Sequence, residues 1–177
     1  MAHIWAKLPG RLQNYRHFET EDPDEASQYI AAFREHKLLS TDRGYFRTMN
    51  TAQLDLISIS ESRVGGQEFR TVADHRFYLI GLFQAGGQLY ESQGYRYAVP
   101  AGSGILMLPN VEARIKRTLA NMTHIAIPER AFMTECDHLI GRRMDKPLHI
   151  TGIIDKASPV RSLVDFIIAE LDSKDGV

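Results

Sequence analysis

Residues 76–83 read Arg76-Phe77-Tyr78-Leu79-Ile80-Gly81-Leu82-Phe83, and both side-chain parities of this run are apolar. A strand exposed on one face alternates polar and apolar residues, so this pattern fits a central strand covered on both sides, such as a barrel wall that also carries a helix. Outward from it, the segments 44–49, 53–60, 67–72, 88–92, 95–99, 104–108, 112–118 and 122–127 are further strand candidates. Between them stand Gly65-Gly66, Asp74-His75, Gly86-Gly87, Gln93-Gly94, Pro100 to Gly102 and Pro109-Asn110, residues that make compact turns. No stretch within 43–127 is long enough for a crossover helix. The fold expected is therefore mainly β with accessory α-helices, as an antiparallel β-barrel or jelly roll.

Helical grammar flanks this region. Asp22-Pro23-Asp24-Glu25 combines a capping carboxylate, a proline at the first helical position and a glutamate at capping-box spacing. Ala26, Tyr29, Ile30 and Phe33 then recur at three- and four-residue intervals, predicting a helix over 23–36. Pro128 opens a second helix with Ala131, Phe132, Cys136, Leu139 and Ile140 on one face and Gly141 as its stop. Ser158-Pro159 opens a third, whose apolar face of Leu163, Val164, Ile167, Ile168 and Leu171 covers the sheet or pairs with a second copy of the chain. Residues 1–17 read as an arm, residues 18–177 as one domain, and Leu148-His149-Ile150 as a short extended segment.

The chain has 177 residues, with 21 Lys plus Arg against 22 Asp plus Glu, a balance that gives no support for direct nucleic-acid or anionic-membrane binding. Its single cysteine, Cys136, excludes an intrachain disulfide, and no window is apolar enough for a membrane span. A cytoplasmic location is expected. Neither a metal-binding spacing around His75 or His124 nor a nucleophile elbow, phosphate loop or dinucleotide fingerprint is present. No catalytic residue, metal or cofactor is assigned. The basic clusters Arg114-Lys116-Arg117 and Arg142-Arg143-Lys146 read as solvated surface. Aromatics concentrate in the β-region, where they fill a core or surround a small ligand. The candidate ligand contacts are Arg47, Arg70, Phe77, Tyr78, Tyr90, Tyr95 and Tyr97, a set suited to an aromatic or carboxylated molecule.

Four stretches carry a family resemblance: FETEDPDEASQYIAAF at Phe18–Phe33, FYLIGLFQAGG at Phe77–Gly87, YAVPAGSGILMLPN at Tyr97–Asn110 and THIAIPERAF at Thr123–Phe132. In this order they resemble the N-terminal effector-binding and dimerisation domain of AraC/XylS-family transcription regulators, over most of residues 15–173. The resemblance implies a cupin-like barrel, a small organic effector, a homodimer, and DNA contact only through a C-terminal helix-turn-helix domain absent from this chain. It departs from enzymatic cupins where a metal-ligand histidine is expected, since the local sequence is Val111-Glu112-Ala113-Arg114. Two other functions stay open: a filled, constitutive oligomerisation module, and a cofactor-independent cupin enzyme.

Overall fold

The computed structural model describes residues 11–31, 36–72, 76–144 and 152–173. Phe33, His75, Lys146, the Leu148-His149-Ile150 segment and residues 1–10 of the arm lie outside the described residues. The strands are β1 Arg16–Thr20, β2 His36–Thr41, β3 Arg47–Leu54, β4 Ile57–Val64, β5 Gln67–Thr71 and β6 Phe77–Ala85. They continue as β7 Gln88–Ser92, β8 Tyr95–Val99, β9 Gly104–Met107, β10 Ala113–Arg117, β11 Ala120–Pro128 and β12 Gly152–Ile154. The helices are α1 Pro23–Ala31, α2 Glu129–Ile140 and α3 Pro159–Ser173.

These strands make a seven-stranded sheet ordered β1-β3-β4-β11-β6-β9-β12 and a five-stranded sheet ordered β2-β5-β10-β7-β8. Every pairing is antiparallel. Between β4 and β11 the chain passes repeatedly from one sheet to the other, which makes the expected mainly-β fold a jelly-roll sandwich. A core of Val64, Phe83, Ile105, Met107 and Met122 from the large sheet meets Phe69, Tyr90, Val99, Ala113 and Ile115 from the small one.

The two-sided reading of residues 76–83 holds. Phe83 faces the small sheet, whereas Leu82 and Ile80 belong to an outer cluster with Val164 and Ile168 of α3. Tyr78 packs beneath Phe132 of α2 with ring centroids 4.1 Å apart. Burying Val164 and Ile168 contributes about 2 kcal/mol each, and Arg161 ties the start of α3 to the carbonyls of Phe83 and Ser103 at 3.0 and 3.4 Å. At the other end of the chain, Asp22 Oδ1 accepts the Asp24 N–H at 2.8 Å, as the capping motif requires. Glu25 accepts the Thr20 hydroxyl instead of the Asp22 N–H, which donates to Thr20 Oγ1 at 3.0 Å.

Four boundaries differ from expectation. The first helix does not reach residue 36, because His36 already pairs with Thr71 as part of β2. The expected strand over 53–60 is two strands joined at Asp55-Leu56, a turn without glycine or proline. The strands β1, β2 and β12 are additional, β1 and β12 at the edges of the large sheet and β2 at an edge of the small one. On α2, Phe132 is packed but Leu139 and Ile140 are exposed.

Two glycines separate backbone conformation from space. Gly94 (φ 79°) follows Gln93 (φ 51°) in a two-residue hairpin turn that requires both residues in the left-handed region, and a Cβ there would meet nothing within 4 Å. Gly86 (φ 72°) is equally left-handed, but its Cβ would lie 2.1 Å from the Leu119 carbonyl oxygen. Gly94→Ala is predicted to cost about 1 kcal/mol, and Gly86→Ala several times more because the backbone must also move. Urea denaturation midpoints of the two variants check this ordering.

Candidate functional site

On β4 the alternation Ile57-Ser58-Ile59-Ser60-Glu61-Ser62 runs opposite to that of an ordinary sandwich strand. Ile57 and Ile59 point outward into the cluster beneath α3, and the three serines point between the sheets. Thr51 of β3 stands opposite Ser60, with the two hydroxyl oxygens 3.0 Å apart. On β11 the neighbouring inward residues are His124 and Ala126, and on β6 His124 faces Gly81. Such small side chains cannot fill the space between two sheets that pack about 10 Å apart. A cavity of about 380 Å³ results. It follows the inner face of β3 from Arg47 through Met49, Thr51 and Gln53 to Asp55 and Leu56 at the exposed hairpin turn.

The buried end of this cavity is cationic. Arg47 is 3% exposed and Arg117 5% exposed, one from each sheet. Arg117 donates to Gln88 Oε1 at 3.0 Å and lies over the Phe69 ring at 5.3 Å. Gln67 and Gln88 flank it on the neighbouring strands. Arg47 forms no ion pair among the described residues, and its buried Nε has no hydrogen-bond partner. Burial pulls its guanidinium below the ordinary arginine value, with the Tyr45 phenol pulling weakly the other way. Burial likewise pushes the Tyr45 phenol up, against the opposing charges of Arg47 and Arg117. The only carboxylate lining the cavity among the described residues is Asp55, which is exposed at the opposite end.

The structure brings together two of the seven residues named from the sequence as ligand contacts, Arg47 and Phe77. Tyr78 lies on the outer side of β6 under α2, and Tyr90 is buried in the inter-sheet core with Tyr97 packed against it. Arg70 and Tyr95 border a different, shallow groove, where Arg70 Nε is 3.4 Å from Glu112 Oε1. Of the trio expected to be solvated, Arg114 and Lys116 are exposed but Arg117 is buried. The alternation of Ala113, Ile115 and Arg117 is the signal that places Arg117 inward. Among the described residues no three His, Cys, Asp or Glu side chains are arranged to hold a metal ion, and no helix is long and apolar enough to cross a membrane.

The opposite face of β4 carries a second polar arrangement. Glu61, directly between Ser60 and Ser62, accepts the Arg11 N–H at 2.9 Å, and the Arg11 guanidinium pairs with Asp165 of α3 at 2.6 Å. The Leu12 N–H reaches Asp172 at 2.7 Å, and Leu12 is fully buried. The arm is thereby fastened across β4 and α3. Burial raises the Glu61 carboxyl above its ordinary value of 4.5, partly offset by the Arg11 N–H and by the charges of Arg11 and Arg63.

A carboxyl whose folded pKa is raised binds its proton more tightly in the folded chain. Folding stability therefore declines as pH climbs from the ordinary glutamate value through the raised one, and stays lower above it. Glu61→Gln keeps an acceptor for the Arg11 N–H and removes this titration. Urea midpoints measured from pH 4 to 8 are predicted to show the wild type losing stability relative to the variant across that window. Parallel curves would contradict the assignment.

The sequence matches the family described as AraC-binding-like domain over residues 26–176. No curated protein matches it. Among solved structures, it superposes on the AraC-like transcriptional activator CuxR with a TM-score of 0.67 at 13% identity, covering 91% of this chain and 62% of that one. The chain thus spans less than two thirds of that activator's length. Looser likenesses are to a putative glyoxylate induced protein from Pseudomonas aeruginosa (TM-score 0.45, 11% identity, 62% of this chain and 41% of that one). A Cupin 2 conserved barrel domain protein from Salinispora arenicola follows (TM-score 0.40, 15% identity, 56% and 89%). At these identities the likeness is one of fold.

Proposed function

The chain belongs to the AraC-binding-like domain family, and from that premise we propose that it is the sensing part of a transcription regulator, taking a small organic effector into the cavity between its sheets. The observation that carries this reading is the cavity itself: about 380 Å³ inside an otherwise packed sandwich, closed by buried arginines at one end and open beside an exposed hairpin at the other. A filled oligomerisation module would have no use for three inward serines on a central strand.

A route from occupancy to response follows from β4. Its even-numbered residues 58, 60 and 62 line the cavity, while Ile59 supports α3 and Glu61 holds the arm. A ligand that binds one arrangement of β4 more tightly shifts the population of the arm and α3 contacts by that difference in affinity. The remainder of the proposal concerns partners. α3 buries Val164 and Ile168 but exposes Leu163 at 59% and Phe166 at 62%, one face inward and one outward. We assign the outward face to a second copy of the chain, so that occupancy alters dimer geometry and, through it, a DNA-binding domain beyond this chain, in the cytoplasm.

Two outcomes test this. Ser60→Leu fills the cavity and is predicted to abolish ligand-induced thermal stabilisation in a small-molecule screen that stabilises the wild type, with an unliganded melting temperature equal to or above the wild-type value. Phe166→Glu with Leu163→Glu is predicted to weaken self-association about 30-fold or more, as read by sedimentation velocity. A wild-type chain that sediments as a monomer at all concentrations would remove the dimer part alone.

A further inference from the structure

On a solvated sheet face, charges of opposite sign ordinarily stand opposite one another, because like charges in register repel. The outer face of the small sheet departs from that pattern. Lys37 of β2 is in register with Arg70 of β5, and Arg70 with Arg114 of β10, so three cations stand side by side across three strands. The row continues through Glu91 of β7 to Arg96 of β8, a span of about 19 Å at the usual strand spacing. Lys116 adds a fifth cation two residues along β10, and all five are exposed. Three glutamates answer them: Glu68 pairs with Arg114, Glu112 with Arg70 at 3.4 Å and Glu91 with Arg96 at 3.1 Å. Lys37 and Lys116 make no ion pair among the described residues. The same arginines border the shallow groove between the Gln93-Gly94 turn and Asn110, where Tyr95 is 65% exposed.

The chain also carries the complement of this face. Residues 19–25 hold five acids, Glu19, Glu21, Asp22, Asp24 and Glu25, and no base, and all five are exposed at the turn from β1 into α1. Asp22 and Glu25 hold the turn in shape, through the Asp24 N–H and the Thr20 hydroxyl. Glu21 and Asp24 make no ion pair among the described residues, and none of the five acids pairs with the cationic row of its own copy. A balance of 21 basic against 22 acidic residues thus conceals two segregated patches of opposite sign. Such patches attract between copies and fix their relative orientation. We propose that the acidic turn at residues 19–25 of one copy seats on the Lys37, Arg70 and Arg114 row of a second copy. Turn and row are different patches, so the contact is head-to-tail, and it is separate from the outward face of α3. A carboxylate-bearing segment suits the row better than a nucleic acid does, because Glu68, Glu91 and Glu112 would lie against phosphates.

The test uses sedimentation velocity on the chain carrying Leu163→Glu and Phe166→Glu, so that the α3 face makes no contribution. In about 50 mM sodium chloride this chain is expected to self-associate. In about 500 mM the association should weaken about tenfold or more, since screening then acts within roughly 5 Å. Two charge-neutralised variants are made in the same background, one with Glu19→Gln, Glu21→Gln and Asp24→Asn, the other with Lys37→Gln, Arg70→Gln and Lys116→Gln. Each alone should be monomeric at low salt, with a melting temperature close to that of the parent. Mixed, they should form a one-to-one pair and nothing larger, because the first retains the row and the second retains the turn. Removing three cations elsewhere, by Arg130→Gln, Arg142→Gln and Arg143→Gln, should leave the association of the parent intact.

A parent chain that is monomeric at low salt would overturn the proposal, as would association indifferent to salt. So would a mixture of the two variants that stays monomeric. Duplex DNA held by the row while copies of the chain ignore one another would replace the acidic turn by a polynucleotide and overturn it equally. The α3 contact is read separately, in about 500 mM salt with Leu163 and Phe166 intact, so either interface can fail without the other.

Discussion

The seven-stranded sheet has to satisfy two neighbours at once. Its outer face lies under α3 and the arm, and its inner face lies against the small sheet. In β6 both faces are met by large apolar side chains, and the strand is buried from both directions. In β4 the outer face is met in that way, while the inner face is apolar only at Val64. Ile59 is fully buried beneath α3, whereas inward residues 58, 60 and 62 are serines. Because the helix stabilises the outer face, the strand keeps its place without inner packing, and the interior can remain unfilled. The cavity is thus a consequence of having an external helix to hold the wall.

The buried end of that interior is electropositive. An arginine removed from water without a carboxylate is unfavourable for the folded chain, and Arg47 is in that position among the described residues. Arg117 is better supported, by Gln88 and by the Phe69 ring. The same strand that presents the serines inward presents Glu61 outward to the arm, so the cavity wall and the arm's anchor are opposite faces of one backbone segment.

Much of the architecture was legible beforehand, and what escaped did so for identifiable reasons. The double apolar parity of residues 76–83 correctly required covers on both sides, and the turns at Gln93-Gly94 and Gly86-Gly87 announced themselves through glycine. The β3–β4 hairpin lies inside the expected strand 53–60 because Asp55-Leu56 carries no breaker to mark the turn. The edge strand β1 has only Thr20 buried, so its pattern held no apolar face to detect. Aromatics drew attention as ligand contacts, yet Tyr78 and Tyr90 are core, as large rings in packed layers ordinarily are. The residues that shape the cavity were the inconspicuous ones: three serines at alternate positions, and an arginine hidden in the run Arg114-Ile115-Lys116-Arg117, whose inward parity with Ala113 and Ile115 was present but outweighed by its charged neighbours.

The property on which the rest depends is an open space between β3, β4 and β10 faced by Arg47 and Arg117. An anomalous-difference map from a crystal of this chain soaked in sodium bromide addresses that directly. A bromide peak in contact with both Arg47 and Arg117, inside a cavity bordered by Ser58, Ser60 and Ser62, is the predicted result. A cavity closed by its own side chains, with Arg47 turned onto a carboxylate of the chain and no halide beside it, would contradict the account.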